Sequence, residues 1–307
     1  MSQILIVGSL NMDLVIRTSR LPQLGETITG QGFSVIPGGK GANQAIAVAK
    51  LGGDTAMIGA VGEDDYGKAM LRHLSSQGVD CSGISTLSGN SGIAVITVAG
   101  GDNHIILDPG ANGQTTPDLL LGHKQLFEQA RYVVLQLEIP METVVFAARL
   151  AKEQGAKVVL NPAPMKELPR ELLAMTDLLI PNEHEAAELL QMPLDTPQAR
   201  EEGVRRLMEL GITQVIITLG KDGCLFNDGD QICRFGSFPV PVQDTTAAGD
   251  SFIGGLCVAL CQGESIQQAV RFATGVSAVT VSRKGASVSL PTRQEAEQLL
   301  RQYQTDN

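Results

Sequence analysis

The segment "DTTAAGDSFIGG", residues 244–255, places a carboxylate where the chain changes from polar to apolar. Apolar residues recur at helical spacing after Asp250, which predicts that this aspartate lies in the first turn of a helix. Because Ala247, Ala248 and Gly249 are small, the main-chain amides at the helix start would be uncovered and could hold an anion. A first-turn aspartate can also simply complement the helix dipole, which is worth about 0.3–1 kcal/mol. The local sequence leaves both interpretations open.

A glycine cluster in "VIPGGKGANQ", residues 35–44, is the second candidate binding segment. Gly38, Gly39 and Gly41 would let the backbone approach a ligand, and amides at the start of the following helix could donate to it. The segment is not a Walker A loop, because Lys40 is followed by glycine instead of Ser or Thr. The cluster therefore indicates a close backbone approach to a ligand without identifying that ligand.

Two further segments place polar residues or glycines after predicted strands. In "PNEHE", Asn182 and Glu185 have the spacing of a helix N-cap and its reciprocal acid, so a purely structural role competes with ligand binding. In "ITLGKDG", Gly220 and Gly223 follow a strand. Strand ends of this kind line the ligand crevice of open α/β sheets.

The elements that must position these segments alternate along the chain. Short runs rich in β-branched residues and Leu predict strands buried on both faces at residues 4–8, 56–62, 131–138, 156–162, 177–182 and 214–220. Helical spacing predicts helices at 39–51, 64–77, 140–154, 183–190 and 197–210, and a mostly helical chain after residue 247. This alternation predicts parallel β-α-β units with helices on both sides of one sheet.

Two regions interrupt the alternation without adding a helix. Residues 11–37 and 91–108 contain alternating apolar residues and glycine-rich turns, which predict hairpins. We expect these hairpins to form a small separate sheet that covers a cleft. The alternative is an extension of the edge of the main sheet.

Charge and hydropathy favour a cytoplasmic globular protein. The 307 residues carry a net charge of -10, and no Lys/Arg cluster is present that could displace counterions from a nucleic acid. The first residues, "MSQILIVGSL", lack a basic leader and predict a strand instead of a signal peptide. No window approaches the ~20 apolar residues of a membrane-spanning helix.

The five cysteines are scattered and lack C-x-x-C spacing, which predicts reduced thiols. Cys257 and Cys261 are four residues apart in an apolar run. They are predicted to pack in the core, because a buried free cysteine behaves as a small hydrophobic residue.

Together, these motifs resemble those of the ribokinase family of carbohydrate kinases. The matching segments are "GSLNMD", "PGGKGANQA", "LQLE", "NPAP", "PNEHE", "ITLGKDG" and "DTTAAGDSFIGG", in the family's order and spacing. The resemblance covers essentially the whole chain. It implies a single α/β kinase domain over residues 1–307, a three-layer α/β/α sandwich with a mainly parallel central sheet. It also implies a small β-sheet lid formed by insertions at about 11–37 and 91–108.

The resemblance implies that Asp250 is the base that accepts a proton from a sugar's primary hydroxyl as this attacks the γ-phosphate of ATP. The amides of Ala247, Ala248 and Gly249 would form the anion hole for the transferred phosphoryl group. A helix start supplies such stabilisation without reorganising. The implied sugar-binding residues are Asn11, Asp13, Gly39, Lys40, Asn43, Glu138 and Asp250.

The resemblance also implies Mg²⁺ with ATP as co-substrate, and K⁺ as a monovalent activator. Asn182 and Glu185 would organise Mg²⁺ and the phosphates, largely through water. The implied nucleotide-binding residues are Thr218, Gly220, Lys221, Gly223 and Gly249, with Thr274 near the adenine. The implied K⁺ loops contain Asp244, Thr246, Thr280, Arg283, Gly285 and Ser289, several of which would use main-chain carbonyls.

The activity implied by the resemblance is ATP-dependent phosphorylation of D-ribose at O5, a step of D-ribose catabolism, by a homodimer paired through its lid sheets. Alternatives are a kinase for 2-deoxyribose or fructose, a catalytically silent sugar- or nucleotide-binding regulator, and a nicotinamide oxidoreductase. Asn11 counts against deoxyribose, because kinases for that sugar tend to carry an apolar residue there. The retained Asp250 counts against a silent regulator. The missing G-x-G-x-x-G after the first strand counts against the oxidoreductase.

Overall fold

The structure, a computed structural model, describes residues 3–100 and 102–303. Residues 1–2 and 304–307, at the ends of the predicted domain, lie outside the described residues, as does Gly101 in the second predicted hairpin region. Within the described part of the chain, strands form two separate sheets and α-helices cover the larger one.

The larger sheet has nine strands within the described residues. Numbered in chain order, they are β1 (Ile4–Val7), β4 (Thr55–Gly62), β5 (Asp80–Leu87), β8 (Tyr132–Leu135), β9 (Lys157–Leu160), β10 (Leu178–Leu179), β11 (Gln214–Thr218), β12 (Cys224–Asp228) and β13 (Gln231–Phe235). The order across the sheet is β13-β12-β11-β10-β9-β8-β1-β4-β5. All neighbours from β11 to β5 are parallel, whereas β12 and β13 add an antiparallel edge. The predicted mainly parallel sheet is therefore confirmed.

Alternate residues of the central strands enter two different hydrophobic cores, as expected for strands covered on both faces. Ile4 and Ile6 of β1 belong to one core, and Leu5 and Val7 belong to the other. The first core contains residues of α1 (Lys40–Lys50), α2 (Asp65–Ser76), α9 (Ala248–Cys261), α10 (Ile266–Val281) and α11 (Arg293–Gln302). The second contains residues of α3 (Pro117–Leu121), α4 (Lys124–Gln129), α5 (Met141–Glu153), α6 (Arg170–Met175), α7 (Glu183–Leu190) and α8 (Pro197–Glu209). The predicted three-layer α/β/α sandwich follows.

The smaller sheet consists of β2 (Asn11–Thr18), β3 (Gln31–Gly38), β6 (Gly92–Ala99) and β7 (Asp102–Asp108), in the order β3-β2-β6-β7. Two antiparallel pairs, β2–β3 and β6–β7, are joined by parallel pairing of β2 with β6. This sheet is separate from the larger one. The alternative of an edge extension of the main sheet is therefore wrong.

Close packing of α1 against α9 brings the two glycine-containing segments together. A Cβ at Gly254 of α9 would lie 2.6 Å from Cβ of Ala47 in α1, so a side chain there would push the helices apart. The carboxyl ends of β1 and β8 lead to the same region, where Ser9 donates a hydrogen bond to Glu138. Ligand sites of open α/β sheets lie at strand ends of this kind.

Candidate active site

Asp250 lies in the first turn of α9 and is only 8% exposed. Ala247 immediately precedes the helix with a left-handed backbone (φ 60°, ψ 11°), and no side chain caps this helix start. This conformation costs a non-glycine residue about 1–2 kcal/mol, and such strain is concentrated at functional sites. The Ala248 N–H donates to the carbonyl of Thr245 at 3.2 Å. The predicted helix start beside Asp250 is therefore present, with an unusual backbone leading into it.

Both carboxylate oxygens of Asp250 accept hydrogen bonds from side-chain amides of α1. Asn43 Nδ2 donates to Oδ2 at 3.2 Å, and Gln44 Nε2 donates to Oδ1 at 3.0 Å. The structure thus brings together two residues, Asn43 and Asp250, that were predicted to share a site although 207 positions separate them.

Sequence reasoning missed the buried amide network behind Asp250. Gln44 Nε2 also lies 3.3 Å from Asn161 Oδ1, and Gln44 Oε1 accepts from Gln136 Nε2 at 2.7 Å. Asn161 Nδ2 in turn donates to the carbonyl of Ile180 at 3.1 Å. This chain of amides fixes the orientation of Gln44, so that its Nε2 faces Asp250.

Glu138, which follows β8, ties together the segments predicted to bind sugar. Its Oε2 accepts hydrogen bonds from Ser9 Oγ, from Asn11 Nδ2 at 3.2 Å and from Lys40 N at 3.3 Å. Asn11 opens β2 and Lys40 opens α1, so a single carboxylate oxygen connects a strand start, a helix start and the end of β8. The predicted residues Asn11, Lys40 and Glu138 therefore converge.

Asp13 lies two residues after Asn11 in β2 and is also buried. Burial, together with the smaller effects of the negative charges of Glu138 and Asp250, raises the pKa of Asp13 to about 7. A Cβ at Gly38 would lie 2.3 Å from Asp13 Oδ2, so the glycine leaves room for this carboxylate. Gly39 has φ +94°, a backbone conformation that favours glycine and lets the chain turn into α1.

Asp13→Asn is expected to stabilise the folded protein above about pH 7 by roughly 1–4 kcal/mol, because each pKa unit is worth about 1.4 kcal/mol. A carboxyl whose pKa is raised by folding contributes stability at low pH, and this contribution is lost as pH rises through the folded-state value of about 7. Urea unfolding at about pH 5 and pH 8 would measure the difference. The exposed control Asp118→Asn should show no such gain, and an equal response of both variants would contradict the prediction.

Lys40 is surrounded by negative charge. Burial alone would lower its pKa, but attraction to Asp250, Glu138 and Glu185 outweighs that effect and raises it. Burial raises the pKa of Asp250, and Lys40 together with the two amide hydrogen bonds opposes this rise. Lys40 therefore stays protonated and can offset negative charge that gathers beside Asp250.

Asn182 and Glu185 form the capping box predicted from their spacing. Asn182 N donates to Glu185 Oε2 at 2.8 Å, and Glu185 N donates to Asn182 Oδ1 at 2.9 Å, at the start of α7. Burial raises the pKa of Glu185, although the hydrogen bond from Asn182 and the charge of Lys40 lower it. The structural role of this pair is therefore present, and the electrostatic contact with Lys40 links it to Asp250.

A cavity of 480 Å³ lies between the end of β11, the segment 237–242 and the helices α9 and α10. Small-molecule sites commonly have this size. Phe252, Val242 and Ala278 supply apolar walls. All predicted nucleotide-binding residues outside the capping box line it, namely Thr218, Gly220, Lys221, Gly223, Gly249 and Thr274. The lining segment 237–242 has no recognisable role in the sequence, because its apolar and proline residues carry no nucleotide signature.

Asp244 connects the two loops predicted to hold a monovalent cation. Its Oδ1 accepts from Thr246 N at 2.9 Å and from Thr246 Oγ1 at 2.6 Å, and its Oδ2 accepts from Gly285 N at 3.1 Å. Burial would raise the pKa of Asp244, but these hydrogen bonds outweigh it and lower the pKa. The two loops therefore meet at an ionised carboxylate three residues before the strained Ala247.

The other side chains of these loops have partners of their own. Thr280 Oγ1 donates to Val276 O at 3.0 Å, Ser289 Oγ donates to Ala286 O at 2.7 Å, and Arg283 pairs with Glu295 at 2.6 Å. Across residues 3–100 and 102–303, no group of three or more His, Cys, Asp or Glu side chains could hold a metal ion. Oxygen donors for a cation in these loops would therefore come mainly from main-chain carbonyls.

Comparison with known proteins decides the family. Residues 1–293 match the pfkB family carbohydrate kinase profile. The chain belongs to the pfkB family of carbohydrate kinases.

Individual pfkB relatives extend over nearly the full length of the chain. A ribokinase of Lactococcus lactis is 36% identical over 99% of this chain and 99% of its own, and a deoxyribokinase of Salmonella typhimurium is 34% identical over 97% of this chain and 98% of its own. Among solved structures, the Arabidopsis thaliana ribokinase complexed with ribose and ATP is 34% identical. It superposes with a TM-score of 0.90, covering 98% of this chain and 99% of that one.

The buried amides of this pfkB kinase could be suspected from sequence only in part. Gln44 directly follows Asn43 in the glycine-rich motif, and a glutamine among the small and apolar residues of a helix is a signal for a polar contact. Gln136 carries the same signal between apolar residues at the end of β8. Neither signal identifies the partner, because the contacts join segments 92 or more positions apart.

Proposed function

We propose that this pfkB kinase transfers the γ-phosphoryl group of ATP to O5 of D-ribose, giving D-ribose 5-phosphate and ADP. The observation that supports this most directly is the position of one helix turn. Asp250 faces the amides of α1 beside the predicted sugar residues, whereas the adjacent Gly249 lines the 480 Å³ cavity. The first turn of α9 therefore adjoins both a polar pocket and a nucleotide-sized cavity.

In the proposed reaction, Asp250 accepts the proton of the O5 hydroxyl while O5 forms a bond to the γ-phosphorus. The bond from the γ-phosphorus to the oxygen that bridges to the β-phosphate breaks, and ADP leaves with that oxygen and the electron pair. Main-chain amides of Ala247 and Gly249 would donate to the phosphoryl oxygens, and that of Ala248 would do so by exchanging its 3.2 Å bond to Thr245 O for a phosphoryl oxygen. Phosphoryl transfer requires this kind of positioning and charge stabilisation far more than covalent assistance.

Buried polar groups support recognition of a polyol. Asn11, Asp13 and Asn43 are all at most 8% exposed, and Asn43 Oδ1 has no hydrogen-bond partner within the described residues. A buried acceptor without a partner costs about 1–3 kcal/mol, so a sugar hydroxyl that donates to it would be favoured. Loss of such a hydroxyl from the sugar would leave the protein group unpaired again.

We propose that Mg²⁺ is held by Asn182, Glu185 and the nucleotide phosphates, largely through water. One carboxylate and one amide suit Mg²⁺, which usually keeps several waters and takes only one or two carboxylates. Bound there, Mg²⁺ would neutralise charge on the phosphates. Glu185 keeps one carboxylate oxygen outside the capping box for this purpose.

We also propose that K⁺ binds the loops of Asp244 and Gly285 and activates the enzyme. Replacing K⁺ with tetramethylammonium at constant ionic strength is expected to lower kcat by at least about fivefold, because the chain from Asp244 leads directly into the amides before Asp250 and small displacements there are costly. A coupled ADP-release assay would measure the change. Equal rates in both salts would rule out an activating site in these loops.

A sugar panel tests the proposed function. With ATP and K⁺, kcat/KM for ribose is expected to exceed that for 2-deoxyribose and fructose, because the buried amide of Asn11 is suited to a 2-hydroxyl. Phosphorylation of 2-deoxyribose in preference to ribose would support the second candidate, a deoxyribokinase. Absence of phosphorylation of every sugar, with nucleotide still bound, would refute the kinase assignment.

The small sheet is proposed to act as a lid and as a dimer interface. Its strands β2 and β3 supply Asn11, Asp13 and Gly38 to the sugar pocket. Its exposed apolar residues on the face opposite Asp13 are suited to pairing with the same sheet of a second copy, and they include Phe33, Val35, Val95 and Ile106. A homodimer is therefore expected in sedimentation velocity, and a monomer at micromolar concentration would contradict the proposed interface.

A cytoplasmic location is part of the same proposal. Among the described residues, no helix has the length and apolar character needed to cross a bilayer. The five cysteines are present as free thiols, which suits a reducing compartment. Cell fractionation would test the location directly.

A further inference from the structure

We propose that Asn112 is a positioning residue that fixes the side-chain amide of Asn11 and thereby sets the preference for a sugar that carries a 2-hydroxyl. This inference rests on the proposed function, in which Asn11 lies opposite that hydroxyl. Asn112 belongs to a short 3₁₀ turn, Gly110–Gln114, that follows the small sheet in sequence. Of the hydrogen-bond partners of its side chain, only Asn11 is a residue predicted to bind a ligand.

The amide of Asn112 has a fixed orientation, because it pairs with both main-chain groups of Leu10. Leu10 N donates to Asn112 Oδ1 at 2.9 Å, and Asn112 Nδ2 donates to Leu10 O at 2.9 Å. The side chain thus takes the place of a neighbouring strand for the residue just before β2. Asn112 is 1% exposed, so water does not compete for these contacts.

The second N–H of Asn112 Nδ2 donates to Asn11 Oδ1 at 2.8 Å. On its other side, Asn11 Nδ2 donates to Glu138 Oε2 at 3.2 Å. The donor beside Oδ1 and the carboxylate beside Nδ2 both favour the same orientation of the Asn11 amide, because the flipped amide would lose both hydrogen bonds. One N–H and one oxygen lone pair of Asn11 remain for a sugar hydroxyl.

The space around the two amides is closed by Gly92, the first residue of β6. A Cβ at this position would lie 2.1 Å from Asn112 Nδ2 and 2.4 Å from Asn11 Oδ1. The turn that carries Asn112 is held by Ala111 N, which donates to Asn90 O at 2.9 Å. Because the site is enclosed, a water molecule cannot easily replace the Asn112 side chain.

The test compares kcat/KM for ribose and for 2-deoxyribose in the full-length enzyme. Asn112→Asp keeps the shape of the side chain but places an acceptor against both Asn11 Oδ1 and Leu10 O, so the Asn11 amide faces a carboxylate in either orientation. The ratio of kcat/KM for ribose to kcat/KM for 2-deoxyribose is expected to fall about tenfold, which corresponds to the free energy of one well-made hydrogen bond. The kcat/KM for 2-deoxyribose itself should change little. Gln114→Ala, on the exposed side of the same turn, should leave the ratio unchanged.

A double-variant cycle with Asn11→Ala separates positioning from general structural support. In the Asn11→Ala background, Asn112→Asp should change the ratio by less than about twofold, because the residue through which it acts is gone. Equal losses on both sugars, or the same tenfold change without Asn11, would overturn the inference. Circular dichroism verifies that each variant folds. If the carboxylate of Asn112→Asp prevents folding, Asn112→Ala is used in its place. A wild-type enzyme inactive on ribose would instead refute the proposed function itself.

Discussion

Asp250→Asn is expected to lower kcat by at least about 100-fold, the usual contribution of a positioned base, with ribose affinity nearly retained. Asparagine keeps the shape of the side chain and can still accept one of the two amide hydrogen bonds, from Asn43 or Gln44. It cannot accept the proton of the attacking hydroxyl. Steady-state kinetics with saturating ATP and calorimetric titration of ribose would measure the two effects separately.

The matched control is Asp65→Asn. Asp65 also lies in the first turn of a helix, α2, but its side chain is 97% exposed. Its loss should change stability by no more than about 1 kcal/mol and leave turnover unchanged, as for any acid that only complements a helix dipole. Wild-type turnover by Asp250→Asn would assign Asp250 to that same structural class and remove it from the mechanism.

The contrast between these two aspartates shows what the sequence could not decide. From residues 244–255 alone, a dipole-complementing acid and a reactive acid are equally compatible with the pattern. Burial and the amides of Asn43 and Gln44 distinguish Asp250, but both depend on packing between α1 and α9, far apart in the chain. Local sequence reports a residue's position in its helix and carries no information on what packs against that helix.

The fold was more accessible to sequence, because strands buried on both faces have a composition of their own. Each of the six predicted strand regions contains a strand of the main sheet, and the two interrupting regions contain the strands of the small sheet. Three strands of the main sheet were missed. β5 alternates with polar residues at a sheet edge, and β12 and β13 form an antiparallel hairpin that departs from the β-α-β rhythm. Edge strands lack the continuous apolar run on which the prediction depends.

Asn112 and Gln136 were missed for a related reason. Each is a fully buried polar residue whose partners lie about 100 positions away, so its role follows from hydrogen bonds and not from spacing. A glycine lies against each of these side chains, but this close contact is visible only in the folded structure. A Cβ at Gly8 would lie 1.9 Å from Gln136 Oε1, and one at Gly92 would lie 2.1 Å from Asn112 Nδ2.

Gly249→Ala has the second-largest expected effect on activity. Unlike Gly8 and Gly92, Gly249 is not enclosed by side chains, so steric crowding within the protein is not the cause. Apart from the chain neighbours of Gly249 and the nearby backbone of α9, no heavy atom of the described chain lies within 4 Å of the position that a Cβ at Gly249 would occupy, and Gly249 lines the 480 Å³ cavity. Packing therefore does not require glycine here. In the first turn of α9, alanine should even be favoured by up to about 1 kcal/mol.

We therefore expect Gly249→Ala to keep or raise the midpoint of thermal unfolding while kcat/KM for ATP falls by about 100-fold, because the added methyl group displaces the phosphoryl group from the helix amides. Ribose binding should be unchanged. Gly113→Ala is the control, since its nearest contact would be an ordinary 3.5 Å to Pro109 and it lies outside the cavity. Loss of stability would make Gly249 a structural glycine, and unchanged kinetics would place the phosphoryl group away from α9. Only the combination of a stable fold, intact sugar binding and lost phosphoryl transfer supports an anion hole at this helix start.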